Sequence, residues 1–157
     1  MKLKGKRPGV SVELIILPRN DGDLVFRARA ITDYDEFEKL CPAPEPPAKI
    51  LPDKTKVFNV ADPGYQQAVQ NFSTKRVAYM VIKGLTDGTP DLEWESVKMD
   101  DHTTWPKFRE ELAESGLSDV EINRLVAGVM KANSLNEAAL EEARKRFLAG
   151  EQAQKEG

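Results

Sequence analysis

The stretch VSVELIILPRNDGDLVFRARA, residues 10–30, decides the fold class. Val10, Val12, Leu14 and Ile16 alternate with Ser11, Glu13, Ile15 and Leu17. Period-two alternation rich in β-branched residues predicts a strand with one face buried. Pro18 ends that strand, because proline has no N–H to give a ladder. Asn20-Asp-Gly-Asp23 supplies a turn, with Asp21-Gly22 suited to positive φ. Leu24, Phe26, Ala28 and Ala30 then alternate with Val25, Arg27 and Arg29, which predicts a returning strand with both arginines on its outer face.

Past the hairpin, Asp33 followed three residues later by Glu36 has the spacing of a capping box, with Asp in place of Ser or Thr. It predicts a short helix with Phe37, Leu40 and Cys41 on one face and Pro42 as its stop. Pro42-Ala-Pro-Glu-Pro-Pro47 is dense enough in proline to be extended and stiff. It reads as a spacer, or as a ligand for an aromatic groove. Residues 48–61 carry few strong signals and are expected to wrap the surface.

Asp62-Pro63 opens a second helix: Asp accepts from free N–H groups and Pro suits the first turn. Tyr65, Val69, Phe72, Arg76, Tyr79 and Met80 recur at spacings of three and four, and Gly84 is the expected stop. This helix is expected to cover one face of the sheet. After a turn at Asp87-Gly-Thr-Pro90, Leu92-Glu-Trp-Glu-Ser-Val97 alternates and predicts a third strand.

The last third is helical. Thr103 or Thr104 can cap a helix with Pro106 in its first turn, an apolar edge of Trp105, Phe108 and Leu112, and an end at Gly116. Ser118-Asp-Val-Glu121 is a full capping box, and Leu117 with Ile122 forms a hydrophobic staple. Ile122, Leu125, Val126, Val129 and Met130 then occupy i, i+3, i+4, i+7 and i+8, and Asn133 can end this helix. Ser134-Leu-Asn-Glu137 is a second box, opening a helix with Leu140, Ala143 and Phe147 that closes at Gly150. The expected class is α+β: a small antiparallel sheet, made of the hairpin and a third strand, packed by a helix and followed by a C-terminal three-helix bundle. Residues 1–99 would form the α+β domain, with a proline-rich connector at 42–52. Residues 100–150 would form a helical subdomain and 151–157 a flexible tail.

Composition narrows the function. No apolar run approaches bilayer length, and Met1-Lys-Leu-Lys-Gly-Lys-Arg7 leads into Pro8-Gly9 rather than a signal-peptide core, so neither export nor membrane insertion is expected. Cys41 and His102 are the single cysteine and histidine, too few for a disulfide or a Cys- or His-based metal cage. Cys41 reads as a small buried hydrophobe rather than a nucleophile, for want of a partner base. Residues 1–85 carry a net +4 and residues 86–157 a net −7. Lys2, Lys4, Lys6 and Arg7 lack interleaved aromatics, and the pI is near 5.4, so no nucleic-acid partner is expected. Asp100-Asp101-His102 reads as a helix-entry loop rather than a metal site, because adjacent side chains diverge. Glu93 and Glu95 could pair only as exposed carboxylates. No phosphate loop, nucleophile elbow or catalytic triad is present, so no catalytic residue, metal or cofactor is assigned, and the expectation is a protein that is not an enzyme.

Together, "VELIILPRNDGDLVFRARAI", "DYDEFEKLCPAPEPP", "RVAYMVIKGL", "LEWESV" and "TTWPKFREELAESGLSDVEINRLVAGVMKANSLNEAALEEARKRFLAG", covering most of residues 10–150, resemble the tail assembly chaperones of long-tailed bacteriophages. The resemblance implies a non-enzymatic protein of the host cytoplasm. It would bind the helical tape measure protein, keep it soluble and help tail-tube subunits polymerise, with the tail-tube protein as a further partner. The alternatives are a structural virion protein, such as a tail or head–tail connector component, or a phage or host regulator acting on another protein through the proline-rich segment or the basic front. Helix-in-groove docking is read at i, i+3, i+4 and i+7. Ile122, Leu125, Val126, Val129 and Met130, with Phe147, therefore form the expected partner-binding set. The same spacing would serve equally as the core of the bundle, and self-association is left open.

Overall fold

The computed structural model describes residues 1–135 and 137–156. The hairpin is present: β1 (Val12–Leu17) pairs antiparallel with β2 (Leu24–Arg29), in the register Val12 to Arg29, Leu14 to Arg27 and Ile16 to Val25. Gly22 takes φ +124° in the turn, and Asp23 Oδ1 accepts the Arg19 N–H at 3.2 Å. Ile15, Leu17 and Ala28 on one face are buried. The other face stays open, with Val12 and Leu14 each 52% exposed and Ile16 47%.

Helix α1 (Asp35–Leu40) follows and buries Phe37, with Cys41 buried just beyond its end. Its capping box does not form. The first flanking residue is Tyr34, and Asp33 Oδ1 instead accepts the Asp35 N–H at 3.1 Å in a local turn. Beyond the prolines, a second two-stranded hairpin pairs β3 (Ala48–Ile50) with β4 (Lys56–Phe58) where only irregular chain was expected. All six of its strand residues are exposed, so burial alternation gives no sign of them in the sequence.

Helix α2 (Pro63–Gly88) begins as expected, with Asp62 Oδ2 accepting the Tyr65 N–H at 2.9 Å. It passes through Gly84 and ends a turn later. Gly84 and Gly88 sit one helical turn apart where α2 meets the β2 backbone, facing the carbonyls of Arg29 and Arg27. At Gly88 a Cβ would overlap the Arg27 carbonyl group, so close approach to a strand, rather than helix termination, accounts for the glycine. Thr89 then locks this end: its Oγ1 accepts the Arg27 N–H at 2.9 Å and donates to the Arg27 carbonyl at 3.1 Å.

Residues 92–97 are not a strand. The N–H groups of Glu95, Ser96 and Val97 all donate to the carboxylate of Glu111, at 3.2 Å for Ser96 and 3.0 Å for Val97. A side chain thus takes the donors a third strand would have offered to a ladder. Glu111 lies on α3 (Phe108–Glu114), which follows a 3₁₀ turn at Trp105–Lys107. Gly116, at φ +103°, closes α3, with the Leu117 N–H bonded back to Leu112. Helix α4 (Asp119–Ala132) carries the full Ser118–Glu121 capping box. It lies on the inner face of the hairpin, where Gly128 meets Ile15 and Lys131 Nζ pairs with Glu13 at 3.1 Å.

One cluster of buried side chains crosses the boundary drawn at residue 99. Phe37, Tyr79 and Trp105 form its aromatic centre, with ring centroids 5.2–5.9 Å apart. Leu17, Ile82 and Leu85 meet Ile122, Leu125 and Val129 in the same cluster. The chain is α+β, as expected, but its C-terminal helices do not stand apart as a three-helix bundle: α4 packs on β1 and α2 in a shared core. Helix α5 (Glu137–Glu156) has no buried residue, and it runs through Gly150 into the segment expected as a tail. The second capping box falls partly on Asn136, outside the described residues. Ser134 does not serve as its cap: at φ +58° it is the left-handed residue that closes α4, with its N–H on Lys131 and the Leu135 N–H on Met130.

Candidate partner-binding surface

The α4 stripe has two sides. Ile122, Leu125 and Val129 are buried against the hairpin and α2, so they serve the core and are not available to a partner. Val126 and Met130, one step round the helix, are half-buried. Phe147 is 64% exposed on α5. The expected partner set is thus divided by the fold: three residues point inward, two lie at a rim, and one stands on a separate helix.

Val126 opens onto an apolar groove of about 390 Å³. Val77 of α2, Pro106 of the 3₁₀ turn and Phe108 of α3 complete its greasy lining. Val77 sits off the core-facing stripe of α2 and is 39% exposed. Arg109 supplies a cation at the edge. Its guanidinium lies 5.8 Å from the Phe108 ring centroid and donates to Asn123 Oδ1 at 3.1 Å. The charged lining residue is thus basic, although residues 86–157 carry a net −7. A groove with apolar walls and a fixed guanidinium suits an amphipathic segment with an acidic flank. The signal that could have located it was Val77: a large aliphatic residue on α2 outside the Tyr65–Met80 stripe.

Other polar groups are committed to structure. Asp101 Oδ1 accepts from the Thr103 N–H at 3.0 Å and hydroxyl at 2.6 Å, and those two bonds hold its carboxyl below the usual range. His102 turns away to Lys75, with Nδ1 2.9 Å from Nζ, so the acidic pair and the imidazole do not converge. Burial pushes the Cys41 thiol up and so opposes thiolate formation, an effect partly offset by the Lys75 cation. Glu93 and Glu95 are exposed on the loop fastened by Glu111. Compared with protein-family models, with curated proteins and with solved structures, the chain matches none. No helix among the described residues is long and apolar enough to cross a membrane.

Proposed function

We propose that the protein is a non-enzymatic assembly chaperone of a long-tailed bacteriophage, acting in the host cytoplasm to hold helical segments of the tape measure protein in solution. The groove between α2, the 3₁₀ turn and α4 carries this reading, because its lining is mainly apolar and is anchored by Phe108 of the core and by Val126 packed against it. A helix laid there would bury its own i, i+3, i+4 stripe against Val77, Phe108 and Val126, while Arg109 takes an acidic side chain at the edge. Such binding needs no cofactor and is reversible, as a chaperone that must hand over its client requires. Assistance to tail-tube polymerisation would follow from releasing the tape measure helix as tube subunits arrive.

Co-expression tests this. The wild-type chain should raise the soluble yield of the tape measure protein, and Val77→Asp with Val126→Asp should abolish the gain while leaving the chaperone folded. An unchanged client yield with the wild type would refute the reading. Mass spectrometry of purified particles distinguishes a structural virion protein, which would be retained in stoichiometric amounts.

A further inference from the structure

Of the apolar surfaces left uncovered among the described residues, two bear complementary charge. One is the outer face of the hairpin, where Val12, Leu14, Ile16 and Val25 stand exposed beside Arg27 and Arg29. The other is α5, where Leu140, Phe147 and Leu148 are exposed along a 20-residue helix. The hairpin's inner face is packed by α4, but its outer face carries no layer, and α5 lacks the tertiary packing of an apolar face from which most helices in proteins draw their stability. We infer that the two surfaces cover each other between copies, so that α5 of one chain lies on the outer hairpin face of a second.

Charge spacing fits this occupant. Glu137 and Glu141, one turn apart, are separated by about 6 Å along the helix beside Leu140. Arg27 and Arg29, two residues apart on one face of β2, are separated by about 6.7 Å. None of these four side chains has an ion-pair partner among the described residues. A helix lying along the strand can therefore match both pairs at once while Leu140 and Phe147 meet Leu14 and Ile16.

Reach excludes the same chain as donor. Helix α4 occupies the inner face, through the Ile15–Gly128 contact and the Glu13–Lys131 pair. Helices packed on opposite faces of a sheet have axes roughly 20 Å apart, at about 10 Å per layer. Only residues 133–135 and Asn136 separate the end of α4 from the start of α5. Helical Cα atoms lie about 2.3 Å from their axes, which leaves about 15 Å for the chain to bridge. The turn at Ser134 bonds the Leu135 N–H back to Met130, so only the two steps from Leu135 to Glu137, about 7 Å, are left to do it. A second copy meets no such limit, and a two-fold axis lets both chains exchange α5 in one closed dimer.

The test uses the full chain. Light scattering on a size-exclusion column should give twice the 17.5 kDa chain mass. Leu14→Asp, at an exposed position, should return the monomer with an unchanged far-ultraviolet spectrum. Arg27→Glu with Arg29→Glu should weaken the dimer at least about tenfold, as expected for four rim ion pairs, two at each symmetry-related contact, and their reversal. Adding Glu137→Arg and Glu141→Arg should restore it. In a Cys41→Ser background, chains carrying Leu14→Cys and chains carrying Phe147→Cys should be joined by a short bismaleimide only when mixed. A monomer at 100-micromolar concentrations, a dimer that survives Leu14→Asp, or a link formed within one chain bearing both cysteines but never between mixed single-cysteine chains would each overturn the inference.

Discussion

Gly128 shows how one missing methyl sets the position of a helix. A Cβ there would overlap the Cγ1 and Cδ1 atoms of Ile15, so α4 can lie close on β1 only because the position is bare. Gly128→Ala must push helix and strand apart or twist Ile15 off its rotamer. The expected loss is ~1–3 kcal/mol, the usual cost of overpacking, read as a lower urea midpoint with an unchanged slope. Tyr79 gives a second prediction. Burial, reinforced by Glu36, Asp87 and Asp33, pushes its hydroxyl up to about 12 from the ordinary 10. The folded state therefore keeps a proton that the unfolded chain gives up first. This contribution to stability is complete below pH 10 and disappears as pH rises towards 12. Unfolding midpoints measured from pH 9 to 12 should fall more steeply for the wild type than for Tyr79→Phe.

Elements differ in how plainly the chain announces them. Helix α4 was legible because three independent signals agree: a capping box, a staple and an unbroken apolar stripe. The structure keeps the box and buries Ile122, Leu125 and Val129 of the stripe. Ser118→Ala, which frees the Glu121 N–H and removes one side of the box, should cost ~1 kcal/mol in thermal unfolding. The first hairpin was legible for a similar reason, as alternation and turn chemistry point the same way. Residues 92–97 misled because Leu92, Trp94 and Ser96 alternate with glutamates, although their donors go to Glu111 sixteen to fourteen residues away. No local pattern marks a carboxylate that reaches back from another helix. The β3–β4 hairpin hid for the opposite reason, having three-residue strands with no inner face. Helix α5 was found, but its isolation was not, since an apolar stripe does not say what covers it. A chain cut after Leu135 should keep the unfolding free energy of its core within about 1 kcal/mol when both forms are compared as monomers.

At the scale of the molecule, the expected division at residue 99 gives way to a shared core. The aromatic centre brings together Phe37, Tyr79 and Trp105, far apart in sequence, and no periodicity predicts that meeting. The candidate groove was half legible. Val126 was named from its helix, but Val77, Pro106 and Arg109 enter only through the way α2 and the 3₁₀ turn are set beside α4. Because Val77 and Val126 lie on different elements and meet only in the native fold, Val77→Asp alone should weaken client binding about as much as Val126→Asp. Chemical denaturation should show both variants folded, since both sites are partly exposed.

The clasp of Thr89 on Arg27 reaches beyond the place where it forms. That hydroxyl satisfies both main-chain groups of Arg27 on the border of the sheet away from β1. A foreign strand arriving there would find its docking points taken and would have to prise off the end of a 26-residue helix to use them. The sheet is thus barred from lateral growth on that side, which guards a molecule with so much bare aliphatic surface against stacking into ribbons.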